Sequence, residues 1–149
     1  MIIGLVVMWA AVPVCTTPIG KATELHLPSN KVTASPESNG IEMTTDKAKY
    51  EQSDKKIDLL IKNTGSEEIT FNELYQIEMD MNGTWSRIPF QENLAIPLLA
   101  YELNPNATAT SAIYFNNLNL PTASGKFRVV KQFTLETSQI RLVTEFEIE

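Results

Sequence analysis

The chain has 149 residues, 43% hydrophobic and 20% charged, which suits one folded domain with an appendage and excludes a disordered chain. Its net charge of −6 argues against general affinity for nucleic-acid phosphates or anionic lipid, both of which take clustered Lys and Arg. With one cysteine, Cys15, there is no internal disulfide, and with one histidine, His26, the usual Cys/His zinc centres lack a ligand set.

The chain opens on MIIGLVVMWAAVPV, fourteen uncharged and mostly bulky apolar residues. That falls short of the roughly 20 residues of a membrane-spanning helix and fits the apolar region of an export signal. Gly20 and Ala22 put small residues at the third and first places before a cut after Ala22, as at a signal-peptidase site. Cys15 offers a rival reading as a lipid attachment site, although Val14 stands where a small residue is preferred. No Lys or Arg precedes the apolar run, so either translation starts further upstream or the segment stays uncleaved as an anchor. Residues 1–22 are thus expected to be a signal peptide or a membrane or lipid anchor, and the only part that touches a membrane. Residues 23–40, TELHLPSNKVTASPESNG, have no apolar period and read as a flexible spacer that contains His26.

From Ile41 to Glu149 the pattern has period two. IEMTTDKAKY alternates Ile41 and Met43 with Glu42 and Thr44, and KKIDLLIKN puts Ile57, Leu59 and Ile61 on one face before the turn cluster NTGSEE. EITFNE pairs Ile69 with Phe71. YQIEMDMNGTWSRI alternates Ile77, Met79 and Met81 with Glu78 and Asp80 and meets Asn82-Gly83, the strongest short hairpin signal because both residues tolerate positive φ. Residues 89–106 are irregular, carry three prolines, and are expected to cross from one sheet to another. ATATSAIYF is a strand, NNLNLPTASG a loop, GKFRVVKQFTL a long strand, and SQIRLVTEFEIE closes with Ile140, Leu142, Phe146 and Ile148 inward. No stretch sustains helical spacing. The sum is an all-β fold, an antiparallel sandwich of about 7–8 strands over residues 41–149, with a closed barrel as the alternative. Phe127, Phe133, Phe146 and Trp85 are expected in its core, since each buried aromatic is worth roughly 1.5–3 kcal/mol.

GKFRVVKQF has some likeness to the base-stacking strand of RNA-recognition modules, but those require two helices that this sequence does not supply. As a strand it places Phe127, Val129, Lys131, Phe133 and Leu135 on one face, so it is a core strand and no nucleic-acid partner is expected. Together with GIEMTTDKAKYEQSDKKIDLLIKNTGSEEITF, DMNGTWSRIPF, ASGKFRVVKQFTLE and TEFEIE, it resembles the bacterial immunoglobulin-like domain of exported proteins and lipoproteins over Gly40–Glu149. The resemblance implies an Ig-like sandwich outside the cytoplasm and carries no catalytic set.

The carboxylates Glu67, Glu68, Glu73, Glu78 and Asp80 alternate with apolar residues or sit in turns, as on a solvated face and not in an acid/base pair. Asp46 and Asp54 are the pair from which loops would build a cation site, and the sequons at Asn82 and Asn106 are expected to carry no meaning in a bacterial protein, Asn82 already having a turn role. No catalytic, cofactor or metal residues are expected, and Cys15 is the one candidate modification site. The first functional reading is a non-enzymatic binding module at the bacterial cell surface, engaging a protein or cell-envelope component. The alternative is a protease inhibitor that presents residues 89–106, where LAIPLLAYEL forms a long apolar loop.

Overall fold

The computed structural model of the protein describes residues 37–136 and 138–149. Where apolar and polar residues alternate, the chain is extended, and the described residues form eleven strands, β1 (Glu37–Ser38), β2 (Ile41–Thr45), β3 (Lys49–Tyr50), β4 (Lys56–Asn63), β5 (Ile69–Asn72), β6 (Gln76–Met81), β7 (Thr84–Ile88), β8 (Ala100–Leu103), β9 (Thr108–Tyr114), β10 (Gly125–Leu135) and β11 (Ser138–Ile148). Among the described residues the only helical element is a 3-10 turn at Phe115–Asn117. The three strands beyond the expected eight are short. β1 lies in the stretch read as spacer, β3 splits from the first alternating run, and β8 lies in the stretch read as a crossing loop. Strands of two to four residues are too brief to show a period.

The strands form two sheets, one ordered β1-β2-β4-β9 and the other β3-β11-β10-β5-β8, with β6 also on β10 and β7 on β6. The chain changes sheets between β2 and β3, so that β3 runs parallel to β11 with Lys49 opposite Glu147. The switch is held by Asp46, whose Oδ1 accepts the Tyr50 hydroxyl at 2.6 Å and the Asp58 amide at 2.9 Å. Asn39 and Gly40 both have positive φ, and Gly40 cannot carry a side chain, because a Cβ there would lie 2.5 Å from Gly65 Cα. The two turns meet through the Gly40 carbonyl, which accepts the Thr64 and Gly65 amides at 2.6 and 2.9 Å.

The inner faces interdigitate as the alternation requires, with Ile41, Met43, Ile57, Leu59, Ile61 and Ile113 from one sheet against Phe127, Val129, Phe133, Leu142 and Phe146 from the other, all buried. Phe127 stacks on Phe146 at 5.6 Å, and Tyr50 meets Phe146 edge-on at 5.5 Å. Trp85 departs from the expectation. It stands opposite Asp80 in the β6–β7 hairpin, and this register turns it to the outer face of the larger sheet. There it is half-buried beneath the Arg128 guanidinium, 4.3 Å from its ring, while Arg128 binds Glu78 Oε2 at 2.5 Å. An amphipathic aromatic covered by a cation takes this place as readily as a core position.

Candidate interaction surface

The distinctive part of the larger sheet begins where β5 and β6 run end to end along β10. Thr70 stands opposite Thr134 and Gln76 opposite Val130, so one side takes six steps while β10 takes four. The two surplus residues bulge out at Glu73–Tyr75 and break the ladder. Lys131 lies opposite the gap. It is 1% exposed, and its Nζ donates to the carbonyls of Asn72 at 2.5 Å and Leu74 at 3.2 Å, satisfying acceptors that the bulge has taken from the ladder. Burial pushes its amine down to about 8, with the Glu73 charge pulling the other way.

Beyond the bulge, β8 pairs with β5, Phe71 opposite Tyr101 and Ile69 opposite Leu103, and ends the sheet. Two contacts fix it. Tyr101 stacks on Phe71 at 5.7 Å, and its phenol is raised mainly by its hydrogen bond with Glu73. At the other end the buried Asn63 donates through Nδ2 to the carbonyls of Leu103 at 2.9 Å and Glu67 at 2.8 Å, while its Oδ1 accepts the Gly65 amide at 3.1 Å. The end of β4 and the turn that follows it are thereby knitted to the end of β8.

The loop before β8 is tied at its start. Phe90 bridges Leu118, packs edge-on to Tyr75 at 5.3 Å, and is flanked by the Gln91 amide on the Asn117 carbonyl and the Asn119 amide on the Pro89 carbonyl, both at 2.9 Å. From Glu92 the chain runs free of those ties to β8. Leu98 and Leu99 are 66% and 59% exposed and Tyr101 39%, so the uncharged run from Leu94 to Tyr101 leads directly into an open sheet edge. Residues 89–106 thus comprise a tethered base, an exposed apolar middle, a short edge strand and the crossing to β9 that was expected.

The other residues singled out in the sequence lie elsewhere. Asp46 serves the sheet switch, and Asp54 binds Lys47 Nζ at 3.0 Å and the Glu51 amide at 3.0 Å, holding its carboxyl below the usual range. Among the described residues no group of three or more His, Cys, Asp or Glu is placed to hold a metal. Asn82 and Asn106 occupy turns with φ of 58° and 64°. Cys15 and His26 lie outside the described residues.

Two sheets with a first strand that switches between them, and a parallel pairing of that strand with the last, define an immunoglobulin-like sandwich. Residues 37–147 match the model of the bacterial Ig-like domain, and the chain belongs to that family. No curated protein matches the sequence. Among solved structures it is similar to a chain of the CsuC–CsuE chaperone–tip adhesion subunit pre-assembly complex from Acinetobacter baumannii, at 14% identity over 67% of this chain and 51% of that one, TM-score 0.45. It spans about half the length of that chain. It is also similar to the archaellum periplasmic stator protein FlaG from Sulfolobus acidocaldarius, at 12% identity over 72% and 98% of the two chains, TM-score 0.38. Likeness this distant says nothing of partner or role.

Proposed function

We propose that the protein is a non-enzymatic, extracytoplasmic Ig-like module of the bacterial cell surface that binds a protein or cell-envelope component through residues 89–106. The observation that carries this reading is the uncharged Leu94–Tyr101 run, exposed from Pro97 onward and joined to the open edge of β8. Leu98 and Leu99 are the two most exposed large hydrophobic side chains among the described residues and stand side by side ahead of Tyr101, a surface suited to a partner. In the same reading residues 1–22 export or anchor the chain, through a cleaved signal or a lipid on Cys15, and residues 23–40 space it from the envelope ahead of a domain at 41–149. A photo-crosslinker at position 98, with one at the exposed Leu60 of β4 as control, tests the surface in cells that export the protein. A discrete adduct from position 98 alone is expected, and equal yields from both positions would defeat the assignment. Intact mass and cell fraction of the same preparations test the address: a chain beginning at Thr23, or one lipidated on Cys15, supports export, and a full-length cytoplasmic chain opposes it.

One observation favours the inhibitor alternative: the exposed middle of the loop is held at both ends, by Phe90 and by β8, as a loop offered to a protease cleft must be. Titration against serine, cysteine and metalloproteases separates the two. Stoichiometric loss of one activity supports inhibition, and undiminished activity across all three classes removes it.

A further inference from the structure

We infer that the occupant of this surface is an extended, apolar polypeptide segment flanked by Lys or Arg, which adds to β8 as a further strand. The inference rests on the reading that residues 89–106 form the binding surface and names the chemistry of what binds there. An edge strand turns the N–H and C=O of every second residue away from its one neighbour, so β8 offers a ladder that only another extended backbone completes. Beside it on the outer face lies a groove of about 390 Å³ whose lining includes Asn72, Leu74, Ala100, Val130 and Gln132. An added strand would send alternate side chains toward that groove and toward Leu98 and Leu99.

Charge selects the flanks. Residues 63–125 hold seven carboxylates and one basic residue, Arg87, while the rest of the chain balances at eleven of each sign, so the whole net charge of −6 belongs to the part that forms β5 to β9. Around the edge itself, Glu102 lies on β8, Glu67 and Glu68 lead into β5, Glu73 meets Tyr101, and Glu92 stands at the far end of the uncharged run. A segment with an uncharged centre and cationic ends complements this arrangement. A second copy of the chain does not, because it brings the same carboxylate-rich region against itself.

The test uses the full chain and two synthetic peptides of alternating valine and threonine, one with paired lysines at each end and one with paired glutamates. Amide exchange by mass spectrometry locates binding and titration measures it. The lysine-flanked peptide is expected to protect residues 98–103 and to bind at least about tenfold tighter than the other at low salt, with the difference shrinking as salt is added. Glu102→Lys should narrow that preference without changing the fold. Equal binding of both peptides at β8 overturns the assigned flanks and leaves the binding surface standing. Protection at β3 or β9 instead, or none at all while position 98 still crosslinks a partner, overturns strand addition alone. No protection and no crosslink removes the inference and the surface together. A dimer that dissociates in Leu99→Lys assigns the edge to a second copy and likewise overturns the inference.

Discussion

The two ends of the larger sheet treat the same difficulty in opposite ways. Every open sheet has two edges whose unpaired backbone groups invite further strands. At one end β3 is two residues long, and Lys49 projects from it to bind Glu147 Oε2 at 3.3 Å and the Glu149 carboxylate. A short edge bearing a charge discourages addition. At the other end β8 is preceded by seven uncharged residues, and the last two of them, Leu98 and Leu99, stand in water. The difference teaches that the open edge is supported, not neglected. Lys131 fills the bulge behind it, Asn63 ties down its end, and Phe90 pins the loop that leads to it.

Removing that support gives the largest effect. Lys131→Ala leaves two buried carbonyls without a donor and a void beneath Phe71, and should cost about 3 kcal/mol in chemical denaturation, with β8 losing exchange protection before β3 does. Asn63→Ala strands the carbonyls of Leu103 and Glu67 and should cost about 2 kcal/mol, again with fraying centred on β8. Next comes a pH effect. Below pH 8 the folded and unfolded chains both hold the Lys131 proton, and the fold carries the full penalty of a buried charge. Between about 8 and 10.5 the folded chain releases that proton first, so stability should rise with pH, by about 2 kcal/mol near pH 9.5. Above pH 10 the trend reverses, because burial raises the phenols of Tyr50 and Tyr75 and the unfolded chain ionises first. Thermal melts of Lys131→Met, which should lack the rise, check this. Smallest is the closed edge. Lys49→Ala should leave the melting curve unchanged within error, since its ion pairs are exposed, and its interest lies in whether the β3 edge then protects the lysine-flanked peptide.

Much of this arrangement was legible in the sequence, for a physical reason. Burial on one face of a strand writes itself as period two, so the long strands, the Asn82-Gly83 hairpin and even the inward direction of Lys131 follow from parity alone. What Lys131 binds does not, because the bulge exists only once β10 is laid against β5 and β6, some sixty residues away in the chain. Asn63 reads as a turn residue for the same reason, its acceptor on Leu103 being contributed by a distant strand. β8 is hidden because the stretch before it contains Pro97 and consecutive leucines, so nothing alternates, although its exposed apolar character was visible in LAIPLLAYEL. Trp85 was misread because hydrophobic bulk was taken to mean the core, when an arginine two strands away across β6 can shelter an indole as well. The N-terminal readings, Cys15 among them, concern residues outside those described.

The change of sheet between β2 and β3 also bears on how the domain would respond to being pulled. Tension drawn from the N-terminal side passes β1 and β2, the latter on β4, and then reaches β3, whose neighbour β11 points the same way. Stretching a parallel pair from opposite ends slides the strands lengthwise. The bonds from the Glu147 amide to the Ala48 carbonyl and from the Glu149 amide to the Tyr50 carbonyl would then share the load instead of opening one after another.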